Sequence, residues 1–184
     1  GTIEKLPVII DIHGGGWMYG YKEINKYFCL KLAQKGFLVA SINYRLAGSV
    51  LFDEQIRDIF SALKWLGENL SRYPADMDNI FLAGDSAGGH FACVTTAVNL
   101  NEEMQKDFSV EYVGYDFRGV AAICPAVDLL SPNFLMNVNV PVLLGEKSRK
   151  SPYRKYLDVN RIASKEFPPF YINTATGDFL RSQV

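Results

Sequence analysis

Ile80-Phe81-Leu82-Ala83-Gly84-Asp85-Ser86-Ala87-Gly88-Gly89-His90 is the stretch that decides the fold. Ile80 to Ala83 form a continuous apolar run, as expected of a parallel strand covered on both faces. From Ser86 to about Asn99 the pattern is helical. Between them stands Gly84-Asp85-Ser86-Ala87-Gly88, a G-x-S-x-G in the strand-to-helix setting that this motif requires. So tight a turn forces Ser86 into a strained conformation, and the flanking glycines let strand and helix pass closely. It lifts a hydroxyl to the sheet edge with a helix N-terminus behind it, where negative charge is favoured. The alternative is a glycine-rich turn with an incidental serine, and the strand before and helix after weigh against it.

Similar apolar runs lie on either side: Val8 to Ile12, Leu38 to Ile42, Val120 to Cys124 and Phe170 to Thr174. Helical patterns fall between them, at Ile24 to Lys35 and at Asp53 to Asn69. In the second, Ile56, Ile59, Phe60, Leu63 and Leu66 share one stripe. Strand alternating with helix predicts an α/β fold with a doubly wound, mostly parallel sheet and ligands at the C-terminal ends of its strands. With no linker or repeat in the chain, residues 1–184 are expected to form a single domain. Residues 126–169, rich in Pro, Asn and Ser, are expected to make an irregular, cap-like excursion over the sheet.

His13-Gly14-Gly15-Gly16-Trp17 follows the strand Val8 to Ile12. Successive glycines let backbone N–H groups face a cavity without side chains in the way. Acyl transfer needs such donors for the oxyanion of its tetrahedral intermediate. The amides of Gly15, Gly16 and Ala87 are the expected donors. A phosphate loop is disfavoured, because the Lys-Ser/Thr of a Walker motif and G-x-G-x-x-G spacing are both missing.

A net charge of −1 gives no electrostatic reason for nucleic acid or an anionic membrane as partner. No apolar run approaches the roughly 20 residues of a membrane helix. Cys29, Cys93 and Cys124 are odd in number and widely spaced, so buried free thiols in a reducing compartment, the cytoplasm, are expected. Gly1 stands so close to the first strand that the N-terminus reads as truncated. The oligomeric state is not readable from the sequence.

The pair HGGGW and GDSAGG resembles the hormone-sensitive-lipase-like branch of α/β-hydrolase esterases and lipases. Asn43-Tyr44-Arg45-Leu46, the helix carrying Asp58 and Trp65-Leu66, and Pro168-Pro169-Phe170 leading to Thr176-Gly177-Asp178-Phe179-Leu180 match that branch too. The resemblance implies a serine carboxylic-ester hydrolase working through an acyl-enzyme on Ser86, with a small ester substrate and no metal or cofactor. Chain order in the fold is Ser, acid, His. Asp178, after the strand Phe170 to Thr174, is therefore the expected catalytic acid; a helix N-cap is its other reading. Asp128 is the next candidate.

Neither histidine fits the base. His13 is expected to fix the glycine loop by hydrogen bonding, and His90, one helical turn beyond Ser86, to point into packing. By the resemblance the base follows roughly 30 residues after the acid, so it is expected beyond Val184. The fold is then incomplete at both ends and the fragment alone inactive. A non-catalytic small-molecule receptor on the same scaffold is the alternative. Trp17, Tyr19 and Tyr21 crowd the glycine loop, and Trp17 is the candidate lining of the substrate pocket, with plain packing as its other reading.

Overall fold

A computed structural model describes residues 4–131 and 134–181, without the side chains of residues 134–137. Five strands, β1 Leu6–Ile12, β2 Leu38–Ile42, β3 Ala75–Asp85, β4 Phe117–Ile123 and β5 Phe170–Asn173, pair in parallel in the order β2-β1-β3-β4-β5. The six helices described are α1 Lys26–Ala33, α2 Phe52–Asn69, α3 Ala87–Leu100, α4 Glu102–Phe108, α5 Phe134–Leu144 and α6 Val159–Ile162. This is the expected α/β architecture.

Register decides where the loops emerge. Ile12 lies opposite both Ile42 and Gly84, Asp85 opposite Ile123, and Ile123 opposite Asn173. The strands therefore end level, and the segments that follow them open along one edge. β2 lies on one side of β1 and β3 on the other, so the direction of winding reverses between β1 and β3. That switch point is where doubly wound sheets place their ligands.

The stripe read in the sequence is the buried face of α2, where Ile56, Ile59 and Leu63 are wholly enclosed. Glu54 starts this helix by accepting the Leu51 amide at 3.1 Å. α3 differs. It is buried from Ala87 to Asn99, consistent with its apolar residues lying all round rather than in a stripe. Being enclosed, it fixes the position of the turn that precedes it.

Residues 126–169 depart from the expected irregular cover. They carry α5, short 3₁₀ turns at Ser148–Lys150 and Pro152–Leu157, and α6; residues 132 and 133 lie outside the description. Leu129, Leu143 and Leu157 sink into the main core, and Phe108 packs against the rings of Tyr153 and Tyr156. Pro141 inside α5 and the lack of an apolar stripe hid this helix from a reading based on period.

The cysteine expectation needs the same correction. Cys93 is buried in α3, whereas Cys29 and Cys124 are half-buried beside carboxylates. Among the described residues no helix is long and apolar enough to cross a membrane.

Candidate active site

Ser86 occupies the turn between β3 and α3 with φ 50° and ψ −116°, a conformation that side chains other than glycine rarely adopt. The turn holds because backbones meet there. A Cβ on Gly84 would collide with the Gly88 carbonyl, and one on Gly88 with the Ile12 carbonyl oxygen. The Ser86 amide donates to the Ile123 carbonyl at 2.9 Å, and its own carbonyl accepts from His90 at 3.1 Å and Ala126 at 3.3 Å. Three hydrogen bonds thus fix the backbone while the hydroxyl keeps no partner among the described residues.

The loop after β1 turns sharply through Gly15 (φ 116°) and Gly16 (φ 56°). The Gly15 carbonyl accepts from Met18 and Tyr19, at 3.1 and 3.0 Å. The amides of Gly15 and Gly16 find no acceptor among the described residues. Ala87 is the first residue of α3, so its N–H has no carbonyl four residues back within the helix. The sequence pointed to these three amides, which follow the neighbouring strands β1 and β3.

His13 is buried under this loop. Its Nδ1 lies 2.7 Å from the Gly14 carbonyl oxygen, and its ring stacks on Tyr44 at 4.4 Å between centroids. The Tyr44 hydroxyl in turn donates to the His13 carbonyl at 2.9 Å. Trp17 is different from its candidate role: only 1% exposed, its ring packs in the core against His90. Its backbone takes φ 66°. Tyr19, two residues on, is 64% exposed.

Asp178 follows β5. Its carboxylate accepts from the Leu180 amide at 2.9 Å and the Thr174 hydroxyl at 3.2 Å. The Leu180 amide, with help from the thiol of Cys124, holds its pKa below the usual carboxylate value. Asp128, the second candidate, is engaged by the amides of Leu130 and Ser131 at 2.8 and 3.0 Å, and residue 128 bridges to Asp158.

Sequence reading missed the polar ties behind the loop. The Asp85 carboxylate accepts from the Gly14 amide at 2.9 Å and from Asn25 Nδ2 at 2.8 Å. The residue just before the serine thereby holds the glycine loop. Asn25 also faces Asp11 of β1. An acid inside the apolar run Val8 to Ile12 was the available signal.

A strained serine at a strand-to-helix turn, beside a glycine loop with unengaged amides at the switch point of a parallel sheet, defines an α/β-hydrolase of the esterase and lipase class. The chain belongs to the BD-FAE family, whose model matches residues 1–180. It is 33% identical over 140 residues to neutral cholesterol ester hydrolase 1 of Pongo abelii, covering 73% of this chain and 33% of that protein. The probable carboxylic ester hydrolase LipM of Mycobacterium tuberculosis is 28% identical over 181 residues, covering 95% of this chain and 42% of that one. Esterase B from Lactobacillus rhamnosis, in a structure titled for a C4-C4 tributyrin phosphonate, superposes with a TM-score of 0.89 at 32% identity. That match covers 97% of this chain and 59% of the esterase. The chain therefore spans between a third and three-fifths of the length of these relatives.

Proposed function

We propose that this chain carries the nucleophile, the oxyanion donors and the acid of a serine carboxylic-ester hydrolase. The observation that carries the reading is Ser86 at φ 50°, its hydroxyl without a partner among the described residues, on the same sheet edge as the amides of Gly15 and Gly16, which likewise find no acceptor there. Ser86 Oγ attacks the ester carbonyl, and those amides with that of Ala87 stabilise the oxyanion. The alcohol leaves, an acyl group remains on Ser86, and water releases it as the carboxylic acid. Asp178 orients the histidine that takes and returns the proton.

That histidine is neither of the two in the chain. His90 is enclosed with its pKa pushed down to about 3 by burial, and His13 is buried with Nδ1 against the Gly14 carbonyl. The reading therefore needs a base that neither of these histidines supplies. Short acyl esters are the favoured substrates, and the butyrate-type phosphonate named for esterase B supports this choice.

The test uses the full-length protein. Ser86→Ala abolishes hydrolysis of a short aryl ester, and a dialkyl phosphonate labels Ser86 and no other residue. Retained turnover in the variant removes Ser86 from the mechanism. Binding of a short ester without turnover by the wild type moves the protein to the receptors on this scaffold. The 184 residues alone show only a trace of activity, since binding and an oxyanion hole without a triad give roughly 10³–10⁴ over water.

A further inference from the structure

Asp11 of β1 is a buried acid that ester hydrolysis does not use, with its side chain wholly enclosed. Counting protons around it reveals its state. The Ser41 hydroxyl of β2 has one hydrogen but stands 2.7 Å from the Lys22 carbonyl oxygen and 3.0 Å from Asp11 Oδ2. A carbonyl can only accept, and so can a carboxylate. With an ionised Asp11, one of those two close oxygen pairs would hold no hydrogen.

A proton on Asp11 Oδ2 resolves the count. Asp11 then donates to Ser41, and Ser41 donates to Lys22. The Asn25 amide, with two hydrogens, directs one to Asp85 Oδ1 at 2.8 Å and the other to Asp11 Oδ1 at 3.4 Å. Asp85 also takes the Gly14 amide at 2.9 Å. Two carboxyl groups sharing one amide favour a single negative charge between them. The other titratable group facing Asp11 is the Cys29 thiol of α1, which hydrogen-bonds to it and is itself held un-ionised by burial first and by Asp11 next; this donor leaves the Ser41 count unchanged, since Ser41 still has one hydrogen between two oxygens. Burial pushes Asp11 in the same direction and the Asp85 charge adds to it, against the hydrogen bonds from Ser41, Asn25 and Cys29, which pull the other way; the net shift is upward.

We infer that Asp11 is a neutral carboxylic acid at neutral pH and a positioning residue, acting through Asn25 and Asp85 on the Gly14–Gly16 loop. The chain of bonds runs from Lys22 and Ser41 through Asp11, Asn25 and Asp85 to the Gly14 amide. It anchors the loop to β2 and to the residue before the nucleophile. The positioning role rests on the proposed esterase reading; the protonation state does not.

Asparagine at position 11 tests both, because its amide can donate to Ser41 while its carbonyl accepts from Asn25. In the full-length protein Asp11→Asn keeps kcat on a short aryl ester within about threefold, while Asp11→Ala and Asn25→Ala lower kcat between about ten- and a hundredfold with KM little changed. Asp11→Ala adds nothing in the Asn25→Ala background, as expected of residues acting in series. Asn25 is half-buried outside the sheet, so its variant serves where Asp11→Ala does not fold.

Two readouts need no activity. The carbon-13 shift of the Asp11 carboxyl at pH 7 is that of a protonated acid, and the Gly14 amide exchanges faster in Asn25→Ala than in the wild type or Asp11→Asn. An ionised Asp11 shift, or Asp11→Asn as damaging as Asp11→Ala, overturns the protonation. Additive losses, or an unchanged Gly14 amide in Asn25→Ala, overturn the positioning. A wild type without esterase activity sinks the function alone, and the carbon and amide readouts still decide Asp11.

Discussion

The indole Nε1 of Trp17 donates to Nδ1 of His90 at 3.4 Å, with the two buried rings crossed at 83°. An acceptor at Nδ1 puts the proton of the neutral imidazole on Nε2, an assignment made from this bond. Burial pushes the His90 pKa down to about 3, against about 6.5 in an unfolded chain. Above pH 6.5 neither state binds the proton, so the histidine leaves stability level there. Below it the unfolded chain takes up a proton that the native one refuses, and stability falls by up to about 1.4 kcal/mol per pH unit. Urea unfolding of the wild type weakens more between pH 7 and pH 5 than that of His90→Asn. Equal losses in the two proteins would mean that His90 protonates in place.

Trp17 and Tyr19 flank one turn of the glycine loop yet face opposite ways. Truncating the enclosed indole in Trp17→Ala costs about 3–5 kcal/mol and also removes the partner of His90. Tyr19→Ala, at a side chain 64% exposed, changes stability by no more than about 0.5 kcal/mol. Chemical denaturation of both variants checks the pair. A Trp17→Ala protein as stable as Tyr19→Ala would place the indole at the surface.

The same contrast shows where the sequence is legible. β1 and β2 match the runs Val8 to Ile12 and Leu38 to Ile42 closely, because each run is apolar but for a single polar residue, Asp11 in β1 and Ser41 in β2. β3 begins at Ala75, five residues before its apolar run, where Asp76 to Asn79 disguise it; the register also shifts beside Ile80. Ser86 and the glycine loop were legible because tight backbone approach demands glycines at fixed spacing. An aromatic residue beside a glycine loop carries no sign of direction, so the sequence left Trp17 between pocket lining and packing, and the structure leaves its ring only 1% exposed. The tie from Asp85 to Gly14 joins residues 71 positions apart and has no local pattern at all.

Asp178 and Asp128 both follow strands at the C-terminal edge, and their partners separate them. Asp128 is turned to the local amides of Leu130 and Ser131, while Asp178 stands beside β5 with the Thr174 hydroxyl and the Leu180 amide. In the full-length protein Asp178→Asn lowers kcat by about 10⁴-fold, the loss seen when a triad acid can no longer fix the histidine tautomer. Asp128→Asn lowers it far less, since the amide oxygen can still accept from both backbone donors. Steady-state rates on one short ester decide. The opposite ranking would transfer the role to Asp128.

Cys124 reports on Asp178 without any catalysis. Its backbone sits at φ 45° just past β4, its amide donates to the Asn173 carbonyl at 2.8 Å, and its thiol meets the Asp178 carboxylate. Partial burial first, then the hydrogen bond to Asp178 and its negative charge, push the thiol pKa up. Only the thiolate reacts with alkylating agents, so at pH 8 Cys124 reacts with iodoacetamide more slowly than an unhindered cysteine. Asp178→Asn removes the adjacent charge, lowers the thiol pKa and speeds alkylation, by about tenfold for each unit of pKa released. Cys93, enclosed in α3 with its pKa pushed to about 12 by burial alone, is the internal control and keeps its rate. Peptide-resolved mass spectrometry of the 184-residue chain follows all three cysteines in one sample. An unchanged Cys124 rate in Asp178→Asn would separate the thiol from the carboxylate, and with it Asp178 from the end of β4.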